Sequence, residues 1–347
     1  MSIKVLVVDD SSVMREVLSR MLAREGDITV VGTANDPLDA RVKIKELHPD
    51  VVTLDIEMPG MNGLAFLDRL MRLHPLPVVM VSTLTHKNAD ETMLALELGA
   101  VDFVPKPSSS GGGIEAFGPT LRSKVRAAAA SRIGVREHRA PVPLVPLSTA
   151  AGPEGAVIAI GASTGGVEAI RVVLSDMPVD CPPILIAQHM PEAFTARFAA
   201  RLDELVQLKV VEAEDAVPIK VGHAYVARGD YHLKVERRAG VLISRFGREP
   251  AVSGHRPSVD VLFESVAETI GPLATGVILT GMGRDGATGL RQMRDTGGYT
   301  IGQSQSSALV YGMPRVAFEE GAVAEQLPVE HISRRLAAAL NRLKSAA

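Results

Sequence analysis

Three carboxylates stand at the ends of two apolar runs in the first third of the chain. Asp9 and Asp10 follow Lys4–Val8, and Asp55 ends the run Val51–Asp55. Clustered carboxylates repel one another unless a cation lies among them, and Mg²⁺ prefers oxygen ligands of this kind. Because ligands of parallel α/β sheets bind at the carboxyl ends of the strands, these positions predict a cation-binding edge.

Two further polar positions follow later apolar runs. Ser82 and Thr83 end the run that begins at Val78, and Lys106 comes just past Asp102–Pro105. A carboxylate nucleophile, a bound cation, a hydroxyl donor and a fixed positive charge can together hold and accept a phosphoryl group. Each position alone also fits a turn or a helix cap, so the prediction depends on their coincidence along one sheet edge.

A candidate nucleophile lies in the second half of the chain. The run Ala156–Ile160 leads into a Gly-Ala-Ser-Thr-Gly segment centred on Ser163, and a helical pattern begins at Val167. This segment satisfies G-x-S-x-G, in which a sharp strand-to-helix turn exposes the serine hydroxyl. The competing interpretation is a dinucleotide-binding loop, but that motif needs glycine where Ser163 stands, so that the backbone can approach the pyrophosphate.

Of the nine histidines, His189 directly follows a buried-type apolar run and is the favoured base. His223 and His255 remain alternatives, although a loop histidine is more simply a solvated side chain. Asp285, in a Gly-rich segment after another apolar run, is the candidate orienting acid, and the glycines around Met282 free backbone N–H groups to face an oxyanion. The order serine, histidine, aspartate differs from that of α/β-hydrolases, so the triad logic is expected on another fold.

The elements that position these residues alternate between short β-branched runs and longer amphipathic segments. That pattern predicts parallel sheets covered by helices, in two doubly wound α/β domains: a flavodoxin-like domain over residues 1–120 and a Rossmann-like three-layer αβα domain over 154–347. A helix end and a Pro-rich linker are predicted over 121–153, after a flexible segment at Ser108–Gly113. The predicted strands are Lys4–Val8, Thr29–Thr33, Val51–Asp55, Val78–Ser82, Asp102–Pro105, Ala156–Ile160, Pro183–Ala187, Leu208–Glu212, Ala224–Ala227, Gly276–Thr280 and Thr300–Gly302, with a closing helix near His331–Lys344.

Composition removes several classes of protein. The 347 residues are 46% hydrophobic and 22% charged, which is ordinary for globular domains and excludes a disordered or fibrous chain. Aromatic residues make up 3%, Trp is absent and the net charge is −3, so a base-stacking surface and a global positive field are both lacking. The single Cys181 excludes an internal disulfide and is expected to be a small buried hydrophobe, and no apolar run reaches the length of a membrane span. We expect a cytoplasmic protein.

The first half resembles the receiver domain of two-component response regulators. The resemblance rests on four segments: Asp9-Asp10, Asp55 with the following Met58-Pro59-Gly60-Met61-Asn62-Gly63, Ser82-Thr83, and Lys106-Pro107. It implies that Asp55 accepts a phosphoryl group from a histidine kinase, and that Ser82 and Lys106 bind the phosphoryl oxygens. It also implies an Mg²⁺ site formed by Asp10, Asp55 and the backbone carbonyl of Glu57, with Asp9 supporting the metal through water. Phe103 falls where the family has a Tyr or Phe that switches rotamer; an ordinary core aromatic is the alternative interpretation.

The second half resembles the chemotaxis protein-glutamate methylesterases. The segments that carry this resemblance are Ile160–Gly166, Gln188–Pro191, His255–Asp260, Thr280–Gly286 and Tyr311–Pro314. It implies hydrolysis of γ-glutamyl methyl esters on chemoreceptors with release of methanol, and in some members deamidation of receptor glutamines. Ser163 would attack, His189 would transfer the proton, Asp285 would orient the imidazole, and the backbone N–H groups of Thr164 and Met282 are the candidates for the oxyanion hole. No cofactor is implied for the ester hydrolysis.

Two segments depart from the pattern of that family. Many relatives carry an Asp-Glu pair where this chain has Ser304-Gln305 after Gln303, and many have proline where it has Arg228. Neither departure touches the proposed triad, so both concern substrate contacts or local charge.

The combined resemblance implies regulation, in which the unphosphorylated receiver covers the catalytic cleft and phosphorylation of Asp55 loosens it. The alternative from another class is a regulator whose second domain binds DNA or a partner without catalysis. The basic residues that DNA binding would use lie beside the linker and are more simply a solvated helix end: Arg122, Lys124, Arg126, Arg132, Arg136 and Arg139. The expected partners are therefore chemoreceptors and a histidine kinase, with no nucleic acid, no membrane insertion and a monomeric chain.

Overall fold

The computed structural model describes residues 2–58, 62–83, 86–107, 114–131 and 149–346. The chain forms two compact units, Met1–Ala140 and Pro141–Ala347. The predicted flexible segment Ser108–Gly113, three residues of the motif after Asp55, and most of the predicted linker lie outside the described residues.

The first unit is a five-stranded parallel sheet with strand order β2-β1-β3-β4-β5. The chain turns back across the sheet between β2 and β3, so right-handed crossovers place α1 on one face and α2, α3 and α4 on the other. Contacts between α1 and α5 place α5 on the face of α1. The elements are β1 (Ile3–Val8), α1 (Ser12–Ala23), β2 (Ile28–Ala34), α2 (Pro37–Leu47), β3 (Val51–Asp55), α3 (Gly63–Leu73), β4 (Val78–Ser82), α4 (His86–Glu97), β5 (Asp102–Pro105) and α5 (Ile114–Ala129).

Local sequence explains where these elements begin and end. Every residue of β3 and β4 is buried, as expected for strands covered on both faces. Ser11, Asp36 and Asn62 each cap the following helix with a side-chain oxygen that accepts a backbone N–H of the first turn. The five predicted strands are confirmed to within one residue at each end.

The second unit is built on a seven-stranded sheet of order β14-β13-β12-β6-β7-β9-β8, with every neighbouring pair parallel. The six strands predicted here are present to within two residues at each end. The elements are β6 (Val157–Ala162), α6 (Gly166–Ser175), β7 (Ile184–Gln188), α7 (Glu192–Leu205), β8 (Lys209–Glu212), β9 (His223–Val226), β10 (His232–Arg238), β11 (Val241–Gly247), α8 (Val259–Ile270), a 3₁₀ turn (Gly271–Leu273), β12 (Ala274–Ile278), α9 (Ala287–Asp295), β13 (Tyr299–Gln303), α10 (Met313–Glu319), β14 (Glu325–Leu327) and α11 (Val329–Ala346).

An antiparallel hairpin, β10 and β11, is an addition that the sequence analysis did not predict. Leu233 and Val235 of the hairpin join the same buried cluster as Phe263 of α8, so one face of the hairpin completes the core. The turn at Ala239 and Gly240 has positive φ at both residues, the geometry that two-residue hairpins favour. Charged residues dominate the end of β10, so the alternation of apolar and polar residues that would predict a strand is not evident there.

The basic residues of α5 correct the expectation of a solvated helix end. Arg122 is only 4% exposed; it donates to the carbonyl of Met21 and forms an ion pair with Glu25. Lys124 and Arg126 also pair with carboxylates of the first unit, Asp102 and Asp27 respectively. Acidic partners on β5 and in the turn between α1 and β2 explain the burial, because a guanidinium enters a packed surface only when it is paired. The remaining three arginines lie outside the described residues.

Two expectations from composition can be compared with the structure. Cys181 is a buried free thiol, as predicted, and burial raises the pKa of this thiol to about 12. Over the described ranges, no helix has the length and apolar character needed to cross a membrane.

Candidate functional site

The structure brings the three proposed triad residues to one edge of the second sheet. Ser163 follows β6, His189 follows β7 and Asp285 lies in the loop after β12. Strand β6 lies between β12 and β7, and the chain continues from β6 toward β7 but from β12 toward β13, in the opposite direction across the sheet. This arrangement is a topological switch point, where parallel sheets open a crevice at the carboxyl ends of their strands.

A buried hydrogen bond joins the proposed base and acid. His189 Nε2 lies 2.8 Å from Asp285 Oδ2, and both side chains are almost fully buried. An ionised carboxylate can only accept, so Nε2 carries the proton and Nδ1 presents its lone pair in the neutral ring.

Asp285 is held by three more donors from the start of α8. The hydroxyl of Ser258 donates to Oδ1 at 2.8 Å, and the backbone N–H groups of Val259 and Asp260 donate at 2.7 and 3.1 Å. Burial alone would raise the pKa of Asp285, but the bonds from His189 and from the helix N-terminus outweigh it and lower the pKa to about 2. The proposed orienting acid therefore stays ionised.

Asp260 has the opposite electrostatic environment. Burial, together with the negative charge of Asp285, raises the pKa of Asp260 to about 7, although the backbone N–H of Gly289 donates to its carboxyl group. The pKa values of two neighbouring carboxyl groups are thus shifted in opposite directions, because only one of them is surrounded by donors.

The second ring nitrogen of His189, Nδ1, has no hydrogen-bond partner among the residues that the structure describes. It is buried, and in the described part of the chain no hydrogen bond joins the side chains of Ser163 and His189. With Nε2 committed to Asp285, Nδ1 is the nitrogen that can take a proton from a nucleophile. Catalytic hydrogen bonds of this type often close only when substrate binds.

The two alternative histidines are placed differently. His255 stacks on His189, with ring centroids 3.6 Å apart and planes 10° from parallel, so it packs on the ring rather than bonding Asp285. His223 is the first residue of β9, which runs parallel to β7. It therefore lies at the opposite edge of the sheet from the strand ends that carry Ser163 and His189.

The peptide groups of the two proposed oxyanion donors are clamped at their carbonyl ends. The carbonyl of Ser163 accepts from Gly166 N at 2.7 Å and from Gln188 Nε2 at 2.9 Å. The carbonyl of Gly281 accepts from the backbone N–H groups of Gly312 and Met313 at 3.1 and 2.8 Å. Because a trans peptide is planar with N–H opposite C=O, these bonds also fix the directions of the N–H groups of the following residues, Thr164 and Met282.

Gly281 brings the second clamped peptide close to the nucleophile. A β-carbon at Gly281 would lie 2.7 Å from Ser163 Cβ and 2.3 Å from Met313 Sδ, so only glycine fits. Backbone bonds support the approach, since Ser163 N donates to the carbonyl of Thr280 at 3.0 Å. The two N–H groups therefore belong to neighbouring, rigidly held peptides.

Neither departure from the family pattern disturbs this geometry. Gln303, just before the first departure, accepts the backbone N–H of Thr280 at 2.7 Å. Ser304 itself donates its backbone N–H to the carbonyl of Leu327, and its hydroxyl bonds that of Ser306. Arg228 forms an ion pair with Glu192 and lies over the ring of Tyr231, 5.5 Å from its centroid.

The carboxylates of the first unit meet around one ammonium group. Val8 pairs with Leu54 across the sheet, which brings Asp9 beside Asp55. Lys106 Nζ lies 2.8 Å from Asp9 Oδ2 and 2.7 Å from Asp55 Oδ2. Oxygen atoms of Asp9, Asp10 and Asp55 all lie within 4.8 Å of one another. One ammonium faces three carboxylates, so the oxygen set and its excess negative charge fit a divalent cation such as Mg²⁺.

Burial perturbs both members of this ion pair. Burial and the charge of Asp9 raise the pKa of Asp55 to about 6, despite the opposing effect of Lys106. Burial tends to lower the pKa of Lys106, but its bonds to Asp55 and Asp9 prevail and the pKa is raised. Added positive charge would relieve the repulsion that Asp55 experiences.

Of the other residues predicted for the first unit, Ser82 and Glu57 lie at the same edge, whereas Phe103 lies within β5. Ser82, 1% exposed, ends β4 beside β3, and the backbone N–H of Lys106 donates to its carbonyl. Glu57 follows Asp55 and its backbone N–H points to Asp55 Oδ1 at 3.4 Å. Phe103 is buried on β5 at 5% exposure, and its proposed switching role stays a prediction.

Sequence reasoning gave no role to several residues that hold the site together. Ser258 caps α8 and also binds Asp285, and a Ser before an apolar helix is a recognisable cap signal. Gln188 and Thr280 act through long-range contacts, between segments 25 and 116 residues apart, for which local patterns contain no signal.

Comparisons with known proteins agree with this organisation. A family described as "CheB methylesterase" matches residues 158–336, and one described as "Response regulator receiver domain" matches residues 5–116. Protein-glutamate methylesterase/protein-glutamine glutaminase 1 of Dechloromonas aromatica is 49% identical over 344 residues, covering 97% of this chain and 98% of the relative. The protein of the same name from Caulobacter vibrioides is 52% identical over 335 residues, covering 96% and 97%.

A solved structure supports the fold of the second unit. The crystal structure of the Thermotoga maritima CheB methylesterase catalytic domain is 35% identical, with a TM-score of 0.53, and covers 53% of this chain and 98% of that one. Both resemblances seen in the sequence, and the two α/β folds they implied, are thus confirmed. The chain belongs to the family of protein-glutamate methylesterases/protein-glutamine glutaminases, with a response regulator receiver domain ahead of a CheB methylesterase domain.

Proposed function

We propose that the second unit is a serine hydrolase that removes methyl groups from γ-glutamyl methyl esters of chemoreceptors and releases methanol. The observation that supports this most directly is the buried bond between His189 Nε2 and Asp285, which leaves Nδ1 as the base for Ser163. The protein names of the relatives supply the substrate class, a methyl-esterified glutamate of a protein.

The proposed reaction follows from these positions. Ser163 Oγ attacks the ester carbonyl while His189 Nδ1 takes its proton, and the backbone N–H groups of Thr164 and Met282 bind the oxyanion. The imidazolium, stabilised by Asp285, protonates the departing methoxide to give methanol and an acyl-enzyme. Water, deprotonated by the same nitrogen, then releases the glutamate carboxylate and restores Ser163. A glutamine side chain would follow the same route with ammonia as leaving group.

We propose that the first unit accepts a phosphoryl group on Asp55 from a chemotaxis histidine kinase and that phosphorylation raises the rate of ester hydrolysis. Asp10, Asp55 and the carbonyl of Glu57 would hold Mg²⁺, with Asp9 as its indirect support; when bound, the ion neutralises charge on the transferred group. Lys106 and Ser82 would bind phosphoryl oxygens as the Asp55 carboxylate forms the acyl phosphate.

The function is tested by measuring methanol from receptor carrying labelled methyl esters, using the full chain. We expect release that depends on the protein and rises when Mg²⁺ and a small phosphodonor are added. A folded chain that releases no methanol from several methylated receptors would contradict the esterase proposal. A fluorophosphonate that fails to label Ser163 would then favour the alternative, an output domain that only binds its partner.

Asp55→Asn is expected to remove the response to the phosphodonor. The amide is a poor nucleophile and a weaker cation ligand, so methanol release should be the same with and without phosphodonor and Mg²⁺. The wild-type chain should instead be stimulated. Asp68→Asn is the matched control, since Asp68 is an exposed carboxylate of α3 paired with Arg72 and should preserve stimulation. Equal stimulation of wild type and Asp55→Asn would contradict the assignment.

A further inference from the structure

Gln188 contacts the main chain of both the nucleophile and the base. It is the last residue of β7 and is 3% exposed. Its Nε2 donates to the carbonyl of Ser163 at 2.9 Å and to the carbonyl of His189 at 3.2 Å. A single buried carboxamide therefore links the two strand ends from which the proposed catalytic side chains project.

The bond to Ser163 acts on the peptide that supplies an oxyanion donor. The carbonyl of Ser163 and the N–H of Thr164 belong to one planar unit, so rotation of one rotates the other. Gly166 N, at 2.7 Å, restrains that carbonyl from the first turn of α6. Gln188 restrains it from the neighbouring strand, and the two donors together fix the plane of the peptide.

The carboxamide of Gln188 can adopt only one of its two orientations, as the surroundings of its oxygen Oε1 show. Within the described part of the chain, Oε1 is buried without a hydrogen-bond partner. A reversed amide would place Oε1 against two carbonyl oxygens, which is worse, so the donor end must face Ser163 and His189. Leaving a buried acceptor unpaired is unfavourable, and groups of this kind in native proteins call for a specific explanation.

Gly166 makes room for this side chain. A β-carbon at Gly166 would lie 2.1 Å from Gln188 Oε1 and 2.7 Å from Ala162 Cβ, both well inside contact distance. Glycine is therefore needed at position 166 for the Gln188 carboxamide as well as for the turn, because a side chain there would displace the carboxamide.

We propose that Gln188 is a positioning residue that aligns the Ser163–Thr164 peptide for the oxyanion and holds His189 beside the nucleophile. The inference rests on the proposed esterase function and adds a residue to it. The oxyanion exists only in the transition state and the tetrahedral intermediate, so loss of alignment should lower kcat and leave KM nearly unchanged. Removing an oxyanion donor outright costs about 10²–10³ in kcat. Because Gly166 N would remain, we expect a loss of about 10- to 100-fold.

The test compares the wild-type full chain with Gln188→Met, which keeps length but has no donor, and with Gly166→Ala, which keeps the carboxamide but displaces it. Methanol release gives kcat and KM, and the affinity for a peptide boronic acid reports binding of a tetrahedral anion at Ser163. Both variants should lose kcat and boronate affinity by similar factors at unchanged KM. Thr275→Val is the matched control, because Thr275 is a fully buried polar residue of β12, beside β6, and its hydroxyl has no partner among the described residues. This variant should retain both properties.

The outcomes separate this inference from the proposed function. Suppose that the wild type releases methanol and that Gln188→Met has the melting temperature of the wild type. If this variant then keeps both kcat and boronate affinity within about twofold, Gln188 has no positioning role. A fall in kcat with unchanged boronate affinity would also overturn the oxyanion assignment. If Gln188→Met does not fold, Gln188→Leu, which also lacks the donor, decides by the same criteria. A wild type that binds boronate but releases no methanol contradicts the proposed function, and the boronate affinities of the variants still test the alignment.

Discussion

Ser163→Ala is expected to lower methanol release by about 10⁴- to 10⁶-fold, the range seen when the nucleophile of a serine hydrolase is removed. Without Oγ no acyl-enzyme can form, and the remaining oxyanion donors accelerate only direct attack by water. The measurement is single-turnover and steady-state methanol release from methylated receptor.

The matched control for this experiment is Ser175→Ala. Ser175 ends the helix that follows the nucleophile turn, and its hydroxyl donates to the carbonyl of Arg171 at 2.7 Å without contact to the triad. Both variants should melt like the wild type, because each removes one small polar atom. Fluorophosphonate labelling should be lost only in Ser163→Ala. Residual methanol release above a few per cent of wild type in that variant would mean that another group is the nucleophile.

Much of the fold followed from the sequence because fully buried parallel strands are unmistakable apolar runs. Val51–Asp55 and Val78–Ser82 agree with the structure at both ends. Their polar terminal residues necessarily share an edge, because parallel strands all end on the same side of the sheet. That single geometric fact brought Asp55 and Ser82 together in one half of the chain, and Ser163 and His189 in the other.

What the sequence did not predict depends on contacts between distant segments. Nothing in the sequence around Asp285 indicates that the N-terminus of α8 binds it, although Ser258 is a recognisable cap. The choice of Nε2 for the acid, which leaves Nδ1 for the nucleophile, is set by ring orientation and has no local signal. The burial of Arg122 was missed for the same reason, because its partner Glu25 lies in the distant connection between α1 and β2.

Asp285→Asn is expected to lower methanol release by about 10³- to 10⁴-fold at neutral pH, as in serine hydrolases whose orienting acid is replaced by its amide. Asp285 accepts four donors, and an amide offers one oxygen and one NH₂ group. With NH₂ at the Oδ2 position, His189 Nε2 must become the acceptor, which transfers the ring proton to Nδ1 and blocks it as a base. With NH₂ at the Oδ1 position, two donors face each other, the new NH₂ group and the backbone N–H of Asp260. Asp295→Asn, an exposed carboxylate of α9 paired with Arg291, is the matched control and should keep full activity.

The same substitution should also change the pH dependence of stability. Hydrogen bonds hold the pKa of Asp285 at about 2, below the usual range for an aspartate, despite opposing burial. A carboxylate whose pKa is lowered by folding stabilises the folded state above its unfolded pKa, and that contribution disappears as the pH falls through the folded pKa. Calorimetry should therefore show Asp285→Asn less stable than the wild type above about pH 4. The difference from wild type should shrink between about pH 4 and pH 2. A difference that stays constant across that range would show that lost packing, and not the carboxylate charge, is the cause.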